Sequence, residues 1–172
     1  NMGKKQGLEI LYKSAQLTKK YDNLVWVFCG DGVGRIDLEK KCSNLPNVIM
    51  LTLQPKEKLN KLLNLADIHL LPQSANVAGL VLPSKLIGIL SSGRPVVATS
   101  FPNTELYDIC RQFGIVVDPG DEQGFSKAVL LLANDTSLRN SLGRKSRKYA
   151  INHLGMKGIL DRLNLDVKQL NN

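Results

Sequence analysis

Short apolar runs alternate with stretches of helical spacing along most of this chain, and that alternation admits few architectures. The runs cover residues 24–29, 47–51, 67–71, 96–99 and 114–118. Each is continuous rather than alternating, as expected of strands covered on both faces. Between them the spacing predicts helices over about residues 6–20, a helix of about ten residues after Gly34, one over 55–66, and one from Pro83 to the Ser91-Ser92-Gly93 run. Strand and helix in strict alternation imply right-handed crossovers and a Rossmann-like parallel sheet with helices on both faces, an α/β fold. Ligands of such folds bind beyond the carboxyl ends of the strands.

After Asp121 the strand pattern gives way to helices. Phe125, Val129, Leu132 and Ala133 mark one apolar face, and Asp135 is placed to cap a further helix through Leu138, Leu142 and Tyr149. With 172 residues, 43% of them hydrophobic, the chain supports one core rather than two. Residues 1–155 are read as that domain and 156–172 as a helical tail, with Ile159, Leu163 and Leu170 among its apolar positions. The chain opens into a loop and helix with no strand ahead of them, so it is expected to be a piece of a longer protein.

A net charge of +8 favours anionic partners. The basic run 144–148 spreads around a helix without aromatic neighbours for base stacking, so it reads as a solvated face and nucleic acid is not expected. Cys29, Cys42 and Cys110 are odd in number and widely separated, which points to a reducing compartment, with Cys29 read as a small core residue. No run approaches a membrane span, and His69 and His153 do not fall into metal-ligand spacing. His69, inside an apolar strand, reads as a core histidine, and His153 as a dipole-complementing group near a helix end.

Residues 79–99 carry the most chemistry. Pro83 suits a first helical turn, and the helix it opens leaves N–H groups facing the preceding loop. Ser84 and Lys85 stand at that end, so amides, helix dipole and an ammonium can converge on one phosphate; equally, Ser84 can simply cap the helix. Gly3, Lys4 and Lys5 precede the first helix, where a lysine can oppose Lys85 across a diphosphate or stay solvated. Gly30-Asp31-Gly32-Val33-Gly34 misses the dinucleotide fingerprint and reads first as a strand-to-helix turn with glycines at positive φ.

The order of these motifs resembles the C-terminal half of a GT-B glycosyltransferase, nearest the retaining, colanic-acid type of bacterial exopolysaccharide enzymes. The resemblance rests on the Gly/Lys loop, the strand ending in Gly30-Asp31-Gly32, Asn47-Val48 followed by Pro55, and Leu65-Ala66-Asp67-Ile68-His69-Leu70-Leu71-Pro72. It continues through Leu82-Pro83-Ser84-Lys85-Leu86, Ser92-Gly93-Arg94-Pro95-Val96-Val97-Ala98-Thr99, the Gly114–Asp121 segment, and Asp135, Leu138, Arg139 and Gly143. It implies that this chain is the half that binds a nucleotide-diphosphate sugar, UDP- or GDP-linked. The missing N-terminal domain would hold a glycan or lipid-linked acceptor, and the sheet's first strand would also lie outside the chain.

In this reading Lys5, with Lys4 and Gly3 beside it, and Lys85 stabilise the leaving diphosphate. Leu53 and Gln54 meet the base, Leu80, Val81, Leu82 and Ser84 hold phosphate or sugar, and Asp31 is a candidate for the ribose. No metal or other cofactor is implied, and the lone fragment is expected to be inactive. The resemblance also implies a cytoplasmic protein, peripheral on the inner face of the membrane, where an anionic surface is a further partner. Many members carry two glutamates eight positions apart around this helix, where this chain has Leu80 and Gly88. Two other readings stand beside it. One is half of a sugar-nucleotide epimerase on the same plan, which would need acid/base carboxylates that residues 76–94 do not supply; the other is a non-catalytic basic interaction module.

Overall fold

The computed structural model describes residues 2–3, 6–78 and 82–155. In chain order the elements are α1 (Leu8–Leu17), β1 (Trp26–Cys29), α2 (Arg35–Cys42), β2 (Val48–Leu51), α3 (Leu59–Leu65), β3 (His69–Leu71), α4 (Lys85–Ser92), β4 (Val96–Thr99), α5 (Glu105–Phe113), β5 (Gly114–Val117), α6 (Glu122–Asn134) and α7 (Thr136–Tyr149). A 3-10 turn (Lys56–Lys58) leads into α3, and a π-helical turn (Ala150–Leu154) ends the described chain. The expected helix-strand alternation is present. The tail segment 156–172 lies outside the described residues.

All strand pairs are parallel, but they form two ladders, β1-β2 and β3-β4-β5. Helices cover both faces. On β4, Val97 points into the cluster shared with α1 and α6, whereas Val96 and Ala98 point into the cluster built by α4 and α5. This is the period-two alternation of a doubly covered strand. Among the described residues no ladder joins β1 to β3. A cleft of about 820 Å³ runs there instead, lined by Val25, Val27, Leu63 and Leu70, with Gln6 and Lys85 also on its wall. Val25 and Val27 are 55% and 39% exposed, so apolar strand surface faces this gap.

Local chemistry explains several element boundaries. Asp121 accepts from the Gly124 N–H (2.8 Å) to cap α6, and Asp135 accepts from the Leu138 N–H (2.8 Å), the cap expected for α7. The helix expected from residue 55 begins as the 3-10 turn and becomes α-helical only at Leu59, and the third strand starts at His69 rather than residue 67. The turn after β1 does use Gly30 and Gly32 at positive φ, both 142°. Cys29 is only half-buried and its thiol donates to the Thr52 carbonyl (3.2 Å), so it lines a strand end rather than the core.

The first helix is shorter than expected and uses different residues. Leu17 is 42% exposed, whereas the polar Ser14 and Thr18 are fully buried. Burial of Thr18 follows from its hydrogen bonds: its hydroxyl donates to the Ser14 carbonyl (2.8 Å) and accepts from the Trp26 indole N–H (2.9 Å). Replacing Thr18 with Val leaves that indole N–H unpaired in the core. We expect a loss of ~1–3 kcal/mol in urea unfolding, with Thr18→Ser close to the parent.

His69 is hydrogen-bonded as expected, its Nε2 donating to the Leu63 carbonyl at 3.0 Å, but it is half-buried on the wall of the cleft rather than in the core. Burial holds its pKa below the usual 6.5. The imidazole therefore stays neutral in the fold but takes up a proton on unfolding, and stability falls as pH drops from 6.5 toward the lowered folded value. His69→Gln should flatten that slope, by at most ~1.4 kcal/mol per pH unit, in urea titrations between about pH 7.5 and about 5.5.

Candidate functional site

The starts of α1 and α4 meet at the carboxyl side of β1 and β3, where an α/β sheet binds ligands. Their meeting is a direct bond: the Lys85 ammonium donates to the Gln6 side-chain carbonyl at 2.6 Å. Partial desolvation lowers the Lys85 pKa below 10.5, while the side chain stays exposed to solvent. Two positively poled helix ends and an ammonium thus share one corner.

Backbone geometry fixes the α1 start. Gly7 adopts φ 58°, ψ 36° at the N-cap, and a Cβ there would lie 3.0 Å from the Gln73 carbonyl carbon. Gln73 follows β3 and is clasped in turn by Thr99 at the end of β4, which accepts from the Gln73 N–H (2.7 Å) and donates to its carbonyl (2.9 Å). The α1 start is therefore pinned to the ends of two strands through close packing that only glycine permits.

Each anticipated residue has a definite place. Ser84 is exposed at the α4 N-cap and makes no side-chain capping bond, which leaves its hydroxyl outside the purely structural role considered for it. Leu82 packs, half-buried, against the cluster under α4 and α5. Asp31 is exposed in the turn after β1, its carboxylate accepting from the Gly32 N–H (2.7 Å) and its carbonyl from the Met2 N–H (2.8 Å). The Gly3 carbonyl accepts from the Gln6 N–H (3.0 Å), building the loop that presents Gln6. Leu53 is 70% exposed beyond β2, and the Gln54 amide donates to the Thr52 carbonyl (3.1 Å).

Lys4, Lys5, Leu80 and Val81 lie outside the described residues. Gln6 was not anticipated. Its only signal was its place between Lys5 and Gly7, and the contact to Lys85 spans 79 positions that spacing cannot bridge. Gly88, where many GT-B enzymes carry a glutamate, faces Leu63: a Cβ there would come 3.3 Å from Leu63 Cδ1. Apolar packing between α3 and α4 occupies that position. Among the described residues no three His, Cys, Asp or Glu side chains gather as a metal site.

Residues 1–149 match the family described as glycosyl transferases group 1. The chain belongs to that family. It is 32% identical to WcaI of Escherichia coli (strain K12) over 98% of its length and 41% of that protein's; WcaI is provisionally described as a colanic acid biosynthesis glycosyl transferase. Among solved structures it superposes on Anabaena HepE in complex with UDP-glucose with a TM-score of 0.77 at 15% identity, over 98% of this chain and 47% of that one. It also superposes on the C-terminal domain of the glycosyl transferase group 1 protein LpcC of Francisella tularensis, with a TM-score of 0.69 at 18% identity, covering 90% and 82%. The fold is that of GT-B glycosyltransferases. The chain spans less than half the length of WcaI and HepE.

The strain-free αL geometry at Gly7 yields a direct test. Gly7→Ala incurs ~1–2 kcal/mol from backbone conformation alone, with the Gln73 contact added to it. We expect a lower denaturation midpoint in urea.

Proposed function

We propose that this chain is the C-terminal, donor-binding half of a retaining glycosyltransferase. The whole enzyme moves a sugar from a UDP- or GDP-sugar to a glycan or lipid-linked acceptor in cell-surface polysaccharide synthesis. It works in the cytoplasm, peripheral on the inner face of the membrane. The observation that carries this reading is the Lys85–Gln6 bond, which brings the α1 and α4 starts to one corner within a group 1 family domain. The UDP-glucose bound to HepE and the description of WcaI support the choice of donor and pathway.

The chemistry follows from charge. As the bond between the anomeric carbon and the diphosphate breaks, negative charge grows on the phosphate oxygens of the leaving group. Donors already aimed at those oxygens stabilise the transition state more than the ground state. Lys85 and the amides at the α4 start serve from one side, with Ser84, Leu82, Val81 and Leu80 around the phosphates and sugar. Lys5, flanked by Lys4 and Gly3, serves from the other. Leu53 and Gln54 meet the base, and Asp31 takes the ribose in place of a glutamate at position 88.

In the parent protein a first strand fills the cleft between β1 and β3, parallel to both, and an acceptor domain N-terminal to it closes the far wall. Two features support that strand. Among the described residues the facing strand edges are unladdered, with Val25, Val27 and Leu70 lining the gap, and the Met2 N–H already pairs with Asp31 just past β1, which would lead a strand into the gap in the parallel sense.

Isothermal titration with UDP and GDP tests the site. One of them should bind, and Lys85→Ala should weaken it roughly ten- to a hundred-fold, as for a charged hydrogen bond. Equal affinity in the two proteins removes the site. The chain alone should turn over no nucleotide sugar, because half the cleft that excludes water is absent.

A further inference from the structure

Charge is one-sided along α7 and the π-helical turn, whereas the neighbouring α5 carries the exposed acids Glu105 and Asp108. Residues 136–155 hold Arg139, Arg144, Lys145, Arg147 and Lys148 and no Asp or Glu. Two of these cations serve the fold. Arg139 donates to the Leu132 and Ala133 carbonyls (2.7 and 2.6 Å) at the end of α6, and Arg147 to the Ser91 carbonyl (2.6 Å) at the end of α4.

Arg144, Lys145 and Lys148 are exposed, and none of them joins the ion pairs found among the described residues. Lys145 and Lys148 stand with Arg111, which shares Asp108 at 3.2 Å, around a shallow groove of about 540 Å³. The groove is also lined by Phe113, Tyr149 and His153, whose rings pack in series at 5.0 and 4.7 Å, tilted by 48° and 39°. Beside it Ile151 is 58% exposed, and it follows Arg144 and Lys148 at helical spacing.

We propose that this face docks on a bilayer surface rich in anionic phospholipid. Lys145, Lys148 and Arg111 meet headgroup phosphates, Arg144 extends the contact, and Ile151 enters the interfacial layer. A helix with cations and no anions on its wet side, and an apolar residue on the same stripe, suits a surface-lying element. Attraction to an anionic leaflet grows with each Lys or Arg brought near it. The three rings pack against one another in tilted contacts rather than standing as open platforms for bases, which disfavours nucleic acid as the occupant. The inference extends the membrane setting of the proposed function and is independent of where the nucleotide sits.

Co-sedimentation of the chain with vesicles of mixed phosphatidylglycerol and phosphatidylcholine, against pure phosphatidylcholine, tests it. Two double variants remove the same charge: Lys145→Gln with Lys148→Gln on the proposed face, and Lys19→Gln with Lys20→Gln in the turn after α1. We expect binding to the anionic vesicles only, reduced about thirty-fold by the first pair and little changed by the second. Equal losses in the two pairs would mean that net charge alone drives binding, and equal binding to neutral vesicles would mean that charge does not; either overturns the proposal. So does tighter binding of a DNA or RNA oligonucleotide that the first pair abolishes. The thermal shift produced by UDP or GDP, unchanged in both pairs, separates this outcome from any failure of the donor site.

Discussion

Burial of Phe125 holds the two halves of the sheet together. Its side chain has no exposed surface, and its cluster joins Trp26 and Phe28 of β1 to Val97 of β4. Because β1-β2 and β3-β4-β5 share no ladder among the described residues, α6 provides the bridge, packing on α1 as well as on β4 and β5. Apolar burial is non-directional, so it keeps two ladders aligned without backbone hydrogen bonds between them. The alignment brings the carboxyl ends of β1 and β3 near each other, and the candidate site depends on that approach.

At those ends backbone contacts take over from apolar packing. Arg35 donates to the Gly30 and Leu51 carbonyls (2.5 and 2.7 Å), tying the ends of β1 and β2, while Thr99 ties the end of β4 to Gln73. Gly7 rests on that clasp, and Gln6 reaches Lys85 from it. A side chain anchored in this way is held before a ligand arrives, as the proposed role in stabilising a departing diphosphate would need. The cations on α7 differ in kind, since Lys145 and Lys148 line an open groove away from the strand ends.

Element order, parallel topology and the two-faced burial of β4 were legible from residue spacing, because apolar periodicity reflects which backbone faces meet the core. Helix caps at Asp135 and the glycine turn after β1 were legible for the same local reason. The burial of Ser14 and Thr18 was not. Polar residues enter a core only when distant partners satisfy them, and the partner of Thr18 is an indole on the next strand. The exposed position of Leu17 is the reverse of the same failure.

The sequence alone therefore determined what short-range physics can encode: strands, helices, turns, family membership and the cluster of phosphate-suited residue types around position 84. Only the tertiary structure decided that Gln6 bonds Lys85, that Leu63 packs over Gly88, and that Arg111 joins Lys145 and Lys148 around one groove. Each of these pairs residues far apart in the chain, and their approach is set by the packing of whole elements rather than by any local pattern.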